Sequence, residues 1–306
     1  DGDRIITYKE AMILEKQPKS MVIIGAGAIG VEFAHFFHTF GTKVTLIEAC
    51  PNILPAEDHE ISQELEEIFK KRKMKILTNT KVAKLEKLKS KVKVFLDNNE
   101  FIEVEKVLIA IGVKGNIKGI GLEDCNISVT DGWIKVNEFM KTSQSNIYAI
   151  GDVSGPPWLA HKASAEGITA VEHLAGISPL PMKYDNIPGC TYCQPEVASV
   201  GLTESVAIEQ GFEIKVGHFP LRALGKALAI GETDGFVKVI YDAKYGEMLG
   251  CHIIGAEATN IITEAVIARQ LETTPYEVLK TIHPHPTFSE AIMEATADAL
   301  GESIHI

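Results

Sequence analysis

A glycine-rich turn between an apolar strand and a helix constrains the fold of this chain more than any other feature. The turn has the form G-x-G-x-x-G, with its glycines at Gly25, Gly27 and Gly30. A short apolar run precedes it at residues 21–24, and residues 31–40 follow with apolar side chains at helical spacing. Such short apolar runs are typical of strands buried in a parallel sheet. The sequence therefore predicts a βαβ unit in an α/β fold.

An acidic residue at the end of the next predicted strand gives this turn a chemical interpretation. Residues 42–47 are predicted to form a second strand, and Glu48 ends it. In the dinucleotide fingerprint the glycines permit a tight turn, close approach of the backbone to a pyrophosphate, and close packing of helix on strand. The helix N-terminus favours the phosphates. Because Glu48 can accept hydrogen bonds from a ribose 2′-hydroxyl and would repel a 2′-phosphate, the pattern predicts NAD rather than NADP. The alternative is a glycine-rich turn in a generic α/β domain.

Length, charge and cysteine content narrow the function classes. The 306 residues predict about two domains. A net charge of −11, from 41 acidic and 30 basic residues, argues against a nucleic acid or an anionic membrane as partner. No apolar run approaches the roughly 18 residues of a membrane span. Five cysteines do not resemble a disulfide framework, so a reducing, cytoplasmic location is expected, or the mitochondrial matrix or plastid in a eukaryote.

Changes in periodicity divide the chain into four segments. Alternating apolar residues over 81–105 predict a β-meander, and prolines at 179 and 181 mark a linker. Strands followed by segregated helices predict an α+β domain at the end of the chain. The predicted segments are a connector at 1–19, a nucleotide-binding domain at 20–115, a central region at 116–183 with a helix near 160–174, and the α+β domain at 184–306.

A second candidate cofactor motif ends in Gly151 and Asp152. Thr142 precedes a predicted short apolar strand at 147–150, as in the second FAD motif of flavoproteins with two dinucleotide sites. A carboxylate at the carboxyl end of a strand can accept hydrogen bonds from the ribityl chain of a flavin, and a glycine there allows close approach. An ordinary Gly-Asp turn is the alternative.

A predicted helix begins just beyond this motif. It follows Trp158 and Leu159 and starts at Ala160 and His161. The N–H groups of a helix N-terminus would stabilise negative charge on the pyrimidine edge of a reduced flavin. The side chain of His161 could equally serve only as a partly buried cap, so its backbone is the stronger candidate.

The segment from His283 to Glu290 is the candidate acid–base element. It reads H-P-H-P-T-F-S-E, and its prolines favour extended backbone before a predicted helix. Glu290, in the first turn of that helix, can bond one ring nitrogen of His285 and leave the other as a proton acceptor. This arrangement suits deprotonation of a thiol. A structural histidine at a helix entry is the alternative, and two histidines without further ligands are poor zinc spacing, so no metal is expected.

Cys190 and Cys193 have C-x-x-C spacing. A redox pair of the thioredoxin kind opens a helix after a strand. Here Pro195 follows closely and the next segment is predicted to be a strand. We therefore expect unreactive thiols.

Taken together, these motifs resemble the pyridine nucleotide–disulfide oxidoreductase family, and within it the dihydrolipoamide dehydrogenases. The resemblance extends over essentially the whole chain. It rests on the motifs at residues 24–32, 110–112, 147–152, 159–163, 195–201 and 283–290.

The resemblance implies two cofactors, FAD and NAD, and a homodimer. It implies that His285 acts as base towards dihydrolipoamide at the partner subunit's flavin, with Glu290 orienting it. The physiological partner would be a lipoyl domain of a 2-oxoacid dehydrogenase complex or of the glycine cleavage system. For NAD it implies Glu48 on the ribose, Val82 near the adenosine half, Gly112 on the nicotinamide side, and contacts along Gly25, Ala26, Gly27, Ala28, Ile29, Gly30 and Glu32; for FAD it implies Asp152, Trp158, Leu159, Ala160 and His161.

The sequence departs from the family in two respects. The family also carries an N-terminal FAD fingerprint and a redox-active C-x4-C pair, and these 306 residues contain neither. The first residue is also Asp rather than Met. We therefore expect the C-terminal two-thirds of a longer protein, inactive alone in dithiol oxidation. The alternatives are glutathione or mercuric-ion reduction and an NAD-binding dimer without turnover. The lysine-rich stretch at 81–93 is expected to be a solvated hairpin face, with docking to an acidic partner as the alternative.

Overall fold

The computed structural model describes residues 2–305 and divides into two compact units. The larger unit joins the chain up to Ile111 with the chain from Pro188 onward, so it is discontinuous in sequence. The smaller unit is Gly112–Ile187.

The larger unit begins with a parallel sheet and a β-meander. The five-stranded sheet has the order β1-β8-β2-β3-β4, and its paired strands run parallel. The meander β5-β6-β7 is antiparallel. Both confirm the predicted fold class for this part of the chain. The elements are β1 (Ile5–Ile6), α1 (Tyr8–Ala11), β2 (Ser20–Ile24), α2 (Ala28–Thr39), β3 (Lys43–Ile47), α3 (His59–Lys71), β4 (Lys75–Leu77), β5 (Val82–Lys87), β6 (Val92–Leu96), β7 (Phe101–Val104) and β8 (Lys106–Ile109).

The two long helices of this part follow from their apolar spacing. Helix α2 buries Val31, Ala34 and Phe37. Helix α3 buries an apolar face, is capped at its N-terminus by Asp58, and carries lysines in its last turn, as its dipole favours. Both helices contribute to one hydrophobic core with β2 and β3, and this core holds the β2–α2 turn in place.

The smaller unit contains little regular structure beyond one long helix. Its apolar core is formed by Leu122, Ile134 and Ala149. A short hairpin and two 3₁₀ turns accompany the helix. The elements are β9 (Val129–Thr130), β10 (Trp133–Ile134), a 3₁₀ turn at Gly151–Ser154, α4 (Ala160–Leu174) and a second 3₁₀ turn at Tyr184–Asn186.

The predicted strand at 147–150 is wrong. This segment makes one isolated bridge, between Lys141 and Tyr148, and no strand. Its backbone hydrogen bonds are made with the preceding turn instead: Ala149 N donates to Met140 O (3.0 Å), and Ile147 O accepts from Thr142 N (3.0 Å). The apolar pattern is present, but no second strand pairs with it along its length.

The rest of the larger unit is an antiparallel sheet with segregated helices, which confirms the predicted α+β architecture. The sheet order is β11-β12-β15-β14-β13. Helices α7 and α9 contribute to a shared core with these strands. The elements are β11 (Gly189–Thr191), β12 (Glu196–Gly201), α5 (Glu204–Glu209), β13 (Ile214–Pro220), a 3₁₀ turn at Leu221–Ala223, α6 (Gly225–Ile230), β14 (Phe236–Asp242), β15 (Met248–Gly255), α7 (Ala258–Gln270), α8 (Pro275–Lys280) and α9 (Glu290–Leu300).

The two parts of the larger unit share a hydrophobic core. Val197 and Ile254, from the antiparallel sheet, are buried in the same cluster as Ala34 and Phe37 of α2. Within residues 2–305, none of the helices has the length and apolar character needed to cross a membrane.

Candidate functional site

The three glycines of the β2–α2 turn have different surroundings. Gly25 has φ +98°, and a Cβ there would lie 2.5 Å from the carbonyl oxygen of Ala110. A Cβ on Gly30 would lie 1.9 Å from the carbonyl oxygen of Gly25. At Gly27 no heavy atom lies within 4 Å of the Cβ position, so this glycine borders open space. Two of the glycines therefore serve the packing of the turn, and the third leaves its outer side accessible.

The N-terminus of α2 faces this open side without a side-chain cap. Gly27 is its N-cap residue, with no side-chain hydrogen bond, and its first turn contains no acidic residue. Free N–H groups and the positive end of the helix dipole remain for an anionic ligand. The geometry fits a pyrophosphate cradled by the backbone of residues Gly27, Ala28 and Ile29.

Glu48 lies against the same turn. It is buried, and its Oε2 accepts a hydrogen bond from Ala26 N at 2.7 Å. Its Oε1 accepts from Cys50 N at 2.9 Å. A hydrogen bond to Glu48 also raises the pKa of the Cys50 thiol. The carboxylate predicted to bind a ribose is thus held at the edge of the glycine turn.

Two further residues predicted at the NAD site lie in the larger unit. Val82, at the start of β5, packs against an apolar cluster that includes Ile47, the residue before Glu48. Glu32, in α2, accepts a hydrogen bond from Tyr192 N at 2.8 Å. Sequence reasoning did not anticipate this link from α2 to the segment after β11, because it joins residues that are distant in the chain.

Gly112 begins the smaller unit. It has φ +130°, a conformation that favours glycine, and its Cβ position has no heavy atom within 4 Å. Its backbone is therefore exposed on that side, and its predicted role beside nicotinamide stays a prediction.

In the smaller unit, Asp152 is exposed on the 3₁₀ turn Gly151–Ser154. The helix that follows, α4, begins at Ala160, with Leu159 in extended conformation as its N-cap residue. Like α2, α4 has no side-chain cap and no acidic residue in its first turn. The indole of Trp158 lies 5.3 Å from that of Trp133, between ring centroids. His161 is exposed on the first turn of α4.

Two charged residues of α4 that sequence reasoning missed are buried beneath Asp152. Lys162 and Glu166 are each 1% exposed and form an ion pair at 3.2 Å. Glu166 accepts a hydrogen bond from Gly151 N at 2.7 Å, and Lys162 donates to Gly151 O at 3.1 Å. The i,i+4 spacing of Lys and Glu in α4 was the available sequence signal, but that spacing is also common on solvated helix faces.

His285 and Glu290 lie together as predicted. His285 Nδ1 is 2.8 Å from Glu290 Oε1, and Glu290 Oε2 accepts from Thr287 N at 2.8 Å. Burial favours a raised pKa for Glu290, but the Thr287 N–H and the His285 ring outweigh it and lower that pKa. An ionised Glu290 fixes Nδ1 as the protonated ring nitrogen, so Nε2 is left as the acceptor. The imidazole itself is 74% exposed and accessible to a substrate.

The neighbouring His283 has a different environment. Its side chain is turned inward and only 7% exposed, with Nε2 3.7 Å from Glu264 Oε2 and Nδ1 3.0 Å from Thr281 O. Hydrogen bonding to Glu264 raises the pKa of His283. Glu264 also accepts a hydrogen bond from Ser289 Oγ at 2.5 Å. His283 therefore holds the segment against Glu264 and Thr281, while His285 faces outward.

Cys190 and Cys193 are free thiols. Cys190 lies in β11, and burial raises its pKa. Burial raises the pKa of Cys193 to about 12. Neither cysteine opens a helix, and raised pKa values disfavour the reactive thiolate. Within residues 2–305, no three His, Cys, Asp or Glu side chains are grouped as metal ligands.

Comparison with known proteins gives this geometry a family context. The curated relatives include dihydrolipoyl dehydrogenases of Bacillus subtilis, 47% identical over 100% of this chain and 65% of the relative, and of Rhizobium etli, 46% identical over 100% of this chain and 64% of the relative. The chain thus spans about 65% of the length of the curated relatives that it matches.

Solved structures also match. LpdA from Mycobacterium tuberculosis superimposes with a TM-score of 0.91 at 28% identity, covering 97% of this chain and 65% of that one. The HOCl-induced flavoprotein disulfide reductase RclA from Escherichia coli, solved as a Cu(II) complex, gives 0.90 at 27% identity, covering 96% of this chain and 67% of that one.

Family models account for most of the sequence. The model of the pyridine nucleotide-disulphide oxidoreductases matches residues 1–167, and that of their dimerisation domain matches residues 187–296. The chain therefore belongs to the pyridine nucleotide-disulphide oxidoreductase family.

Proposed function

We propose that this protein, at its native length, oxidises dihydrolipoamide with NAD through an enzyme disulfide and FAD. One observation carries the proposal: His285 and Glu290 form an oriented, exposed base in a chain that is 47% identical to a dihydrolipoyl dehydrogenase. Within the proposal, this chain supplies the NAD site, part of the FAD site and the base.

The residues present fit both cofactors. NAD would lie along the open side of the β2–α2 turn, with its pyrophosphate at Gly27 and its ribose at Glu48. FAD would have its ribityl chain at Asp152 and its pyrimidine edge at the start of α4. When bound, FAD passes electrons between the thiol–disulfide chemistry and the nicotinamide.

His285 would act on the dithiol substrate. Glu290 holds the proton on Nδ1, so Nε2 can take the proton of a substrate thiol and leave a thiolate. The thiolate is the nucleophilic form that attacks a disulfide. The ion pair between the resulting imidazolium and Glu290 stabilises the proton at this position until it is released.

A homodimer is part of the proposal, since residues 187–296 match a dimerisation domain. The surface near the candidate acid–base element, residues 283–290, supports the homodimer. A cavity of about 390 Å³ lies between α7, α8 and residues 281–292. Three apolar side chains on its lining are strongly exposed: Ile267 (54%), Leu271 (69%) and Ile282 (94%). A second copy would remove this apolar surface from water. The proposed physiological partner is a lipoyl domain, and the cytoplasmic location stays a prediction.

The experiment measures NADH formation from NAD and dihydrolipoamide by the native-length protein. We expect turnover in the wild type and its loss by at least about 10²-fold in His285→Gln, the range for a general base. His218→Gln is the matched control, because His218 also pairs with a glutamate, Glu60, at 2.9 Å.

The other activities give different outcomes in the same assay. Turnover with NADPH and glutathione disulfide, but not with NADH and lipoamide, would assign a glutathione reductase. Binding of NAD without any turnover by the native-length protein would assign a non-catalytic dimer.

A further inference from the structure

Asp152 sits on a turn that has little intrinsic rigidity. Gly151 (φ +77°) and Gly155 (φ +107°) stand at the start of the turn and just beyond it, both in the left-handed region. Glycine adopts these conformations without strain, but it adopts other backbone conformations about as readily. Contacts from elsewhere must therefore determine where the Asp152 carboxylate is presented.

Those contacts come from the buried pair of α4. Both backbone polar groups of Gly151 are hydrogen-bonded: its N–H donates to Glu166 Oε2 (2.7 Å), and its carbonyl oxygen accepts from Lys162 Nζ (3.1 Å). Lys162 Nζ also donates to Gly155 O (2.8 Å), beyond the other end of the turn. One ion pair thus fastens both ends of the turn that carries Asp152.

The network is complete, which makes it rigid. Glu166 receives a further hydrogen bond from Tyr184 Oη at 2.6 Å, and burial together with this bond raises the pKa of Tyr184. Ser154 Oγ donates to Gly151 O at 2.7 Å. A fully satisfied buried polar network specifies one arrangement, whereas removal of one charge leaves the other buried and unpaired.

The position of the pair in α4 suggests why charges are buried here. Lys162 and Glu166 lie on the same helix whose first residues, from Ala160, are proposed to face the flavin. The pair therefore ties the Asp152 turn to that helix start and fixes the spacing between two groups that must reach one cofactor.

We propose that Lys162 and Glu166 are positioning residues for the flavin, which they serve by fixing the turn that presents Asp152. The inference rests on the proposed flavin site and adds two buried residues that act on it through the turn. Replacement of both by apolar side chains of similar length, Lys162→Met with Glu166→Met, removes the hydrogen bonds to the turn without leaving a buried unpaired charge.

The test measures FAD affinity of the native-length apoprotein by quenching of flavin fluorescence. We expect about tenfold weaker binding in the double variant and a similar loss in Asp152→Asn. Because the pair acts through Asp152, adding the double variant to Asp152→Asn should cost less than about twofold more. Lys70→Met, which removes an exposed lysine from an i,i+4 Lys–Glu pair on α3, is the control.

Amide hydrogen exchange supplies a second readout without FAD. The double variant should exchange faster at residues 151–154 while the second half of α4 is unchanged. Unaltered exchange there, or flavin losses that simply add to that of Asp152→Asn, would overturn the inference. A wild-type protein that takes up no FAD would instead contradict the proposed function itself.

Discussion

Gly27 and Gly30 are three residues apart, but a methyl group would have opposite consequences at the two positions. At Gly30 it would collide with the carbonyl oxygen of Gly25, at 1.9 Å. At Gly27 it would enter open space on the side where we place the pyrophosphate. The fold thus requires Gly30, whereas Gly27 is assigned to the proposed ligand.

Gly30→Ala should therefore destabilise the protein by about 3 kcal/mol, the upper range for overpacking a tight contact. Gly27→Ala should fold normally, since its φ of −70° suits alanine, but should bind NAD about tenfold more weakly. Denaturant unfolding and calorimetric NAD titration measure the two effects. Equal loss of stability in both variants would contradict the assignment.

Glu48 tests the choice between the two nicotinamide cofactors. Glu48→Gln retains an oxygen that can accept from Ala26 N, so the glycine turn should survive, while the bond from Cys50 N is lost. The charge is lost, so NAD affinity should fall about tenfold, the value of a hydrogen bond to a charged group, and the preference for NAD over NADP should shrink. Titration with both nucleotides measures this. Glu100→Gln, on the exposed hairpin, is the control, and an unchanged ratio of affinities would contradict the ribose assignment.

At the scale of elements, the two histidines of the segment from His283 to Glu290 have different roles. His283 is bonded inward to Glu264 and Thr281, and His285 faces outward with its Nδ1 on Glu290. The proline-rich sequence predicted an extended entry to a helix, and α9 does begin at Glu290.

Glu290→Gln should lower turnover by about 10²-fold, because the ring loses the carboxylate that orients it. The pKa of Glu290 is lowered in the folded protein, so its contribution to stability is complete above the unfolded value of about 4.3 and is lost as pH falls through the folded value. The difference in unfolding free energy between wild type and variant should thus be constant above about pH 5 and shrink in acid. A constant difference down to pH 2 would contradict this.

Elements defined by local patterns were predictable, and elements defined by a distant partner were not. The periodicity of α2, α3 and α9 and the alternation in β6 and β7 are contained in their own residues. The segment 147–150 has the composition of a strand, but its backbone bonds turn back to Met140 and Thr142. A strand needs a partner along its length, and composition alone does not report one.

At the scale of the whole molecule, the chain leaves the larger unit at Ile111 and returns to it at Pro188. A buried ion pair joins the returning chain to the first part of this unit. Lys238, on β14, is 1% exposed and lies 3.0 Å from Asp58, the N-cap residue of α3. It also pairs with Glu60 and Glu204. These contacts join residues up to 180 positions apart, so no sequence window contained them.

Lys238→Met should destabilise the protein by about 3–5 kcal/mol, because it leaves Asp58 buried without its cation. Burial raises the pKa of Asp58, but the Glu204 N–H, His252 and Lys238 lower it by more, so the pKa is lowered overall. The stability that the ionised Asp58 contributes is therefore present above about pH 4 and is lost on acidification. Thermal and denaturant unfolding measure the change. Lys215→Met, on the exposed side of the adjacent strand β13, is the control, and similar stabilities for the two variants would contradict the role of the cluster.

We propose above all that the β2–α2 turn binds NAD. Amide hydrogen exchange with and without NAD tests this most directly, because it locates the ligand on the chain. We predict slower exchange at residues 26–30 and beside Glu48 when NAD is bound, and no such change in Gly27→Ala. Exchange that is unaltered at this turn at saturating NAD, or protection confined to another part of the protein, would contradict it.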